Sequence, residues 1–195
     1  MSNLSKLFSL GVVVCGASQI NQIVNHSTNP GLEAMVLNSD GQVDPRFAAI
    51  MRQSPMITLT TTAIARALTA AGVSGLALTG TAADAWLQKH TQGGVRATGS
   101  NSTKLSIAYG MVCPRTLEVT DGGSATLTME IWGRTNDGTT SPLSITTASA
   151  MPSITAPDQL FTAGPAVING TLLEGVKKTT IDFGLRLKMV GGSGG

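Results

Sequence analysis

Ser124-Ala-Thr-Leu-Thr-Met-Glu-Ile-Trp132 alternates without a break. Ala125, Leu127, Met129 and Ile131 fall on one side, and Ser124, Thr126, Thr128, Glu130 and Trp132 on the other. A period of two belongs to a β-strand, whose successive side chains point to opposite faces, so the stretch reads as a half-buried strand. The pattern continues on both sides of it. Leu105, Ile107 and Tyr109 alternate with Lys104, Ser106 and Ala108, and Leu117 and Val119 lead into a turn at Asp121-Gly-Gly123. Asn136-Asp-Gly138 turns the chain into Leu143 and Ile145. Short glycine turns between such strands predict a meander. Asn169-Gly170, set between Val167-Ile168 and Leu172-Leu173, is the strongest hairpin signal in the chain. A last strand puts Ile181, Phe183, Leu185, Leu187 and Met189 on one face, opposite Thr180, Asp182, Arg186 and Lys188.

The first half reads differently. Lys6 followed by Leu7-Phe-Ser-Leu-Gly-Val-Val-Val14-Cys15 imitates a short secretory core. The run is too short to span a bilayer, and its valines fit a strand or an extended arm. Residues 18–42 are rich in Asn, Ser and Gly and predict a loose connection with a short strand at Ala34–Leu37. Asp44-Pro45 has the grammar of a helix start, with Phe47, Ile50 and Met51 on one face and Pro55 as the stop. Met56–Thr60 alternates as a strand. Thr61 or Thr62 caps a second helix through Ile64, Ala67, Leu68 and Ala71, ended by Gly72. Thr81-Ala-Ala-Asp84 resembles a capping box and predicts a third helix through Trp86 and Leu87 to His90, where Gly93-Gly94 stops it. The expected fold is therefore mainly β (α+β): an antiparallel β-sandwich or barrel with two or three short flanking helices. It forms one structural domain over 1–195, with an N-terminal arm at about 1–20, a long connecting loop at about 25–55 and a Gly-rich end at 190–195.

Composition narrows function more than any motif. The 195 residues carry 13 Lys+Arg against 11 Asp+Glu, a net charge of +2, and charged residues make up 12%, about half the usual share. No stretch holds enough cations to neutralise a run of phosphates, which excludes an electrostatic nucleic-acid binder. A mean hydropathy of +0.19 excludes a disordered chain. A soluble monomer covers itself in charge; this chain has a neutral hydroxyl surface, or a surface covered by other subunits. Edges of its sheets would then be protected by identical neighbours, through strand pairing or exchange of the N-terminal arm.

Chemistry is sparse. Cys15 and Cys113 match no zinc spacing and read as buried free thiols. His26 lies among Asn and Ser, His90 ends a predicted helix, and neither has a ligand set nearby. Gly93–Lys104 lacks the order of a phosphate-binding loop and leads into a strand. Gly191-Gly-Ser-Gly-Gly195 matches a nucleophile-elbow pattern but lacks the strand and helix around it. The Asn-X-Ser/Thr matches at Asn3, Asn25, Asn101 and Asn169 follow from composition. Asp121, Asp137 and Asp158 sit beside Gly or Pro as turn residues. No catalytic, cofactor-binding or metal-binding residue is nominated, and the chain reads as non-enzymatic. Trp86 reads as a helix's core anchor, whereas Trp132 sits on the polar register of its strand, a candidate contact for another subunit.

Four stretches carry a resemblance: Gln42-Val-Asp-Pro-Arg-Phe-Ala-Ala-Ile50, Ser54-Pro-Met-Ile-Thr-Leu-Thr-Thr-Thr62, Gly110-Met-Val-Cys-Pro-Arg-Thr-Leu117 and Asp137-Gly-Thr-Thr-Ser-Pro-Leu143. In texture and element order, over most of residues 20–188, the chain resembles tailed-bacteriophage virion proteins, above all tail tube (major tail) subunits. The resemblance implies a β-sandwich or barrel flanked by a helix, copies of which close hexameric rings through a shared inner barrel. Rings would stack through a long loop, beside other virion tail proteins, with DNA passing transiently through the bore and no membrane involved. The setting would be the virion tail, assembled in the host cytoplasm. The connection at 25–55 becomes the stacking element, which nominates Pro30, Asp44, Pro45 and Arg46 as subunit contacts beside Trp132. A bore that lets DNA slide should not hold phosphates, so Thr, Ser, Gly, Asn and carboxylates should line it. Inward rings of Arg186 or Lys188 would contradict that. The competing readings are a capsid decoration or head–tail connector protein, a secreted carbohydrate-binding or adhesin-like β-sandwich, and a small hydrolase with a hidden site.

Overall fold

A computed structural model describes residues 8–37, 47–72, 76–78, 83–89, 102–135 and 137–186. In chain order the elements are β1 (Phe8–Cys15), β2 (Ser18–Ile20), β3 (Ile23–Asn29), β4 (Leu32–Leu37), β5 (Phe47–Gln53), β6 (Met56–Thr61), α1 (Ile64–Ala71), β7 (Leu76–Leu78) and β8 (Ala83–Lys89). They continue with β9 (Ser102–Ile107), β10 (Gly110–Thr120), β11 (Thr126–Gly133), β12 (Leu143–Ser149), β13 (Ala166–Ile168), β14 (Thr171–Leu173) and β15 (Lys178–Asp182). Two open antiparallel sheets dominate. Sheet A runs β12-β9-β8-β1-β2, and sheet B runs β15-β10-β11-β6-β3 with β7 added beside β10. Two hairpins, β4–β5 and β13–β14, pair only within themselves.

One apolar cluster joins both sheets to the helix. Val13, Ile20, Ala85 and Ile107 from sheet A meet Ile57, Val112, Leu127 and Met129 from sheet B, with Ile64, Ala67 and Ala71 of α1 against them. The alternation that opened the sequence reading is what builds it: along β11 the side chains are half-buried and buried in strict turn. Thr61 hands the chain from β6 to α1. Its buried hydroxyl accepts the Ala63 N–H at 3.0 Å and donates to the Asn21 carbonyl at 2.7 Å. Gly72, at φ 65°, ends the helix by donating its N–H to Leu68 O.

Pro114 sits inside the central strand β10, where a missing N–H would ordinarily break a ladder. A bulge between Pro114 and Thr116 absorbs it. The extra residue, Arg115, gives its carbonyl to the Phe183 N–H and so begins the pairing with β15.

The structure overturns the expected fold in several places. The sheets do not close into a barrel, and among the described residues α1 is the one helix. The segment expected as a helix from Asp44 is strand β5 from Phe47 onward, paired with β4 in the register Leu37↔Phe47 to Leu32↔Gln53. Seven residues make too short a helix to stand alone, and a partner strand satisfies their backbone instead. The third helix is strand β8, because its capping residue is taken. Asp84 accepts the Ser106 hydroxyl and pairs with Lys104 Nζ at 3.6 Å, both on the adjacent β9. Over seven residues, Trp86 and Leu87 do not separate a helical period from a strand.

Two further readings change and one is decided. The connecting loop at 25–55 is strand for most of its described length, β3 and β4 running out and β5 and β6 returning. Of the two readings of the N-terminal arm, strand or extended arm, the strand holds: β1 lies inside sheet A with Val12 and Val13 fully buried, and β2 forms its edge. The expected meander holds only for β10–β11: β9 lies in sheet A and does not pair with β10, and β12 crosses back to sheet A and pairs with β9, Leu143 opposite Ile107. Gly133 marks that crossing. A Cβ there would lie 2.7 Å from Pro55 Cγ and 3.0 Å from Ile107 Cγ2, so only glycine lets the sheets approach. His90, the loop from Gly93, Leu187–Met189 and the end at 190–195 lie outside the described residues.

Candidate assembly surface

Because paired residues of neighbouring strands share a face, the ladder registers spell out the face of sheet B turned away from the core. β3 contributes Asn25, Ser27 and Asn29; β6 contributes Met56, Thr58 and Thr60; β11 contributes Thr126, Thr128, Glu130 and Trp132. Thr116 and Glu118 follow from β10, and Thr180 and Asp182 from β15. Cys113 and Met111 of β10 continue it opposite Glu130 and Trp132, so this is a hydroxyl and amide surface with an apolar end at Met56, Met111 and Trp132; Thr60 Oγ1 meets Thr128 Oγ1 across it at 3.2 Å. Among the described residues each cation on it is matched. Arg115 Nε lies 3.2 Å from Glu130 Oε1, Lys178 Nζ 3.1 Å from Glu118 Oε2, and Arg186 Nη2 3.4 Å from Asp182 Oδ2. Such half-exposed pairs add little stability, but they leave the face without net charge.

Trp132 ends this face. Its indole Nε1 donates to Glu130 Oε2 at 2.9 Å, and the same carboxylate holds Arg115, so the ring is fixed by a chain of bonds along the sheet. Beside it, Gly31 takes φ 57°, and a Cβ there would collide with the Ser54 carbonyl. The kink, closed by Ser54 N–H to Gly31 O at 2.9 Å, is where the β4–β5 hairpin leaves sheet B. Trp132, Asn29, Leu32, Glu33, Arg52 and Ser54 surround an open notch of about 360 Å³ at that root.

The second unusual surface lies in residues 143–186, none of which is buried; Leu143 and Phe183 alone pack on the core cluster. Ordering each residue costs roughly 1–2 kcal/mol of backbone entropy, and here little apolar burial offsets it. The segment after β12 is instead strapped down by side-chain amides. Gln19 donates Nε2 to Ser153 O at 3.0 Å and accepts the Thr155 N–H at 2.7 Å, the two bonds a neighbouring strand would make. Asn21 Nδ2 reaches Thr155 O at 3.0 Å, and Gln22 Oε1 accepts the Asp158 N–H at 2.9 Å. Arg66 of α1 binds Asp158 at 2.7 Å and Ala156 O at 2.9 Å. Trp86 Nε1 donates to Oγ of Ser149, the last residue of β12, at 3.4 Å, and this tryptophan is buried on strand β8 of sheet A rather than anchoring a helix. Beyond the strap, β13–β14 turns through Asn169 (φ 48°) and Gly170 (φ 77°), the two left-handed residues of the hairpin the sequence signalled. Val167 (57% exposed), Ile168 (65%), Leu172 and Leu173 stand open on it.

Burial, with the Asp84 charge behind it, pushes the Cys15 thiol up to about 12. Burial and the Glu130 carboxylate raise that of Cys113, against the lowering effect of Arg115. Both cysteines are free, and such raised thiols are poor nucleophiles. The Asp137 carboxyl is held far below the ordinary range by the Thr140 N–H and hydroxyl, the Thr139 N–H and the Thr135 hydroxyl. The Gly184 N–H and Arg186 lower that of Asp182. Among the described residues no three His, Cys, Asp or Glu side chains cluster to hold a metal ion, and no helix is long and apolar enough to cross a membrane.

Of the residues nominated from sequence, two come close together. Trp132 stands opposite Met56, which stands opposite Asn29, and exposed Pro30 follows Asn29 into the root of the hairpin. Asp44, Pro45 and Arg46 lie outside the described residues. Sequence reasoning missed Leu32, Arg52 and the apolar faces of β13–β14. The last left a signal: Val167-Ile168 and Leu172-Leu173 do not alternate, so a two-stranded hairpin made of them is apolar on both faces. Comparison with known protein families, curated proteins and solved structures gives no match.

Proposed function

We propose that the chain is a non-enzymatic structural subunit that assembles with copies of itself, and that the assembly is the stacked-ring tube of a phage tail. The observation that carries this reading is the outer face of sheet B: a wall rich in Thr, Ser and Asn on which, among the described residues, each cation is matched by a carboxylate. Lining a bore with it would offer DNA no net positive charge, and so no counterion-release attraction to arrest sliding. The sequence-based expectation kept Arg and Lys out of the bore and named inward Arg186 as its contradiction; Arg186 pairs with Asp182 of this face, so a bore lined by it departs from that expectation and rests on the pairing of each cation with a carboxylate.

Open sheets support the same reading. Sheet B ends in β3 on one side and β15 on the other, and among the described residues no further strand pairs with either edge. Pairing β3 of one copy with β15 of the next would close a ring and remove both. Size-exclusion chromatography and negative-stain imaging of the purified chain test this. Rings or tubes are expected, with a cysteine placed at Thr128 shielded from a bulky thiol reagent once they form. A monomer at every concentration overturns the reading, and rings with Thr128 on the outer wall overturn its tube form.

A further inference from the structure

Val13 and Cys15 of β1, Ala83 and Ala85 of β8, and Leu105 and Ile107 of β9 belong to the core cluster, so the residues between them face away from it. On that outer face of sheet A, Val12 stands opposite Trp86, and Trp86 opposite Lys104. An outer face is ordinarily wet, yet Val12 is fully buried and Trp86 nearly so. The chain leaving β12 runs against this face. Trp86 Nε1 donates to Ser149 Oγ, and two residues later Met151 reaches Gly11, the extra residue where β1 bulges between Leu10 and Val12. A Cβ on Gly11 would lie 2.6 Å from Met151 Sδ and 3.6 Å from the Trp86 carbonyl oxygen, so the thioether fills the room a side chain would take. Ser153 and Thr155 then meet Gln19 of β2, and Asp158 meets Arg66 of α1. The strap thus crosses sheet A from β8 past β1 to β2, neighbours in that order, and leaves it at the helix.

We propose that residues 150–158 are a latch: they close over the outer face of sheet A with Met151 seated on Gly11 as the catch, and they open from it as one unit while the two-sheet core stays folded. The inference does not depend on how copies assemble. Its ground is the way the strap is attached. The Gln19 amide gives its N–H to Ser153 O and takes the Thr155 N–H, so one side chain stands in for the residue of a parallel strand that would bridge Ile154. No ladder pairs the strap among the described residues, and none of its residues is buried. Opening therefore breaks side-chain bonds at the surface, and what it uncovers, Val12 and Trp86, lies on the far side of the sheet from the core cluster. Closing waits on the core, because the groups that grip the strap come from β1, β2 and α1, far away in sequence. Gly11 is small because of the catch and not because of its own backbone. It is not among the glycines at positive φ, so alanine suits its conformation and meets only Met151 closer than ordinary contact.

Hydrogen exchange read by mass spectrometry, together with hydroxyl-radical labelling of Trp86, tests the latch in the full chain. Gly11→Ala should speed exchange across 150–158 and raise labelling of Trp86, each by about tenfold, with exchange in β11 unchanged. Met151→Ala should do the same, and it decides the matter alone if Gly11→Ala does not fold. The double variant should go no further than either single one, since both remove the same contact. Equal acceleration in β11 overturns the latch, because strap and core would then open together. Faster exchange in 150–158 without a rise in Trp86 labelling overturns it as a cover for sheet A. Unchanged exchange in the single variants, or effects that add in the double one, overturn Met151 as the catch.

Discussion

Strand β11 and the segment 143–186 are made of similar residues and meet opposite fates. In β11, Leu127, Met129 and Ile131 are fully buried, with β10 and β6 on either side and sheet A above. In 143–186, Ile145, Leu160, Phe161, Val167, Ile168, Leu172 and Ile181 are all left open. Apolar content alone does not separate them; closure does. The first region is covered within one chain, whereas the second leaves apolar surface that no described residue covers. On the proposed self-assembly, folding and assembly lie in different parts of the molecule, and mutations should separate them.

The largest expected effect is in the covered region. Met129→Ala removes a fully buried side chain between the sheets and should cost about 2–5 kcal/mol of unfolding free energy, read as a lower midpoint in urea with an unchanged slope. Ile168→Asp, 65% exposed, should change the isolated subunit's stability by less than about 0.5 kcal/mol while abolishing its assembly in sedimentation. If Ile168→Asp unfolds the subunit as Met129→Ala does, the division between the two regions is wrong.

An intermediate effect belongs to the strap that joins them. Arg66→Ala removes the ion pair to Asp158 and the bond to Ala156 O. Both groups are partly exposed, so the loss should be about 1 kcal/mol or less. The effect should be local, seen as faster hydrogen exchange at the Thr155 and Asp158 amides, with β11 unaffected. Equal acceleration in β11 would show that strap and core unfold as one unit.

What could be read from sequence follows the same division. Where a stretch alternates and is covered within the chain, as Ser124–Trp132 is, period alone assigned its faces. Asn169-Gly170 likewise fixes its own turn, since few residues accept two left-handed positions. The errors arose where tertiary partners decide. Asp84 looks like a helix cap until Ser106 and Lys104 claim its carboxylate from another strand. Gln19, Asn21 and Gln22 look like loop composition, yet their amides stand in for a strand against the strap. The notch needed Asn29, Leu32 and Trp132 brought together from β3, β4 and β11, and no local period encodes that.

The smallest expected effect probes the loop that carries the chain from β11 in sheet B to β12 in sheet A. Asp137 accepts the Thr139 N–H at 2.9 Å and the Thr140 N–H at 2.8 Å only as a carboxylate at full strength. Its folded pKa is depressed below the ordinary value of 3.8, so its contribution is fully present above that value and is lost as pH falls through the folded one. The Thr139 and Thr140 amide resonances should therefore stay unchanged down to that ordinary value and move only below it. Asp137→Asn should shift both at neutral pH and leave the melting temperature nearly untouched, because the group is fully exposed. An Asp137 that titrates at its ordinary value would mean that the loop is not held by these bonds, and that the crossing between the sheets depends on Gly133 and its contacts with Pro55 and Ile107 instead.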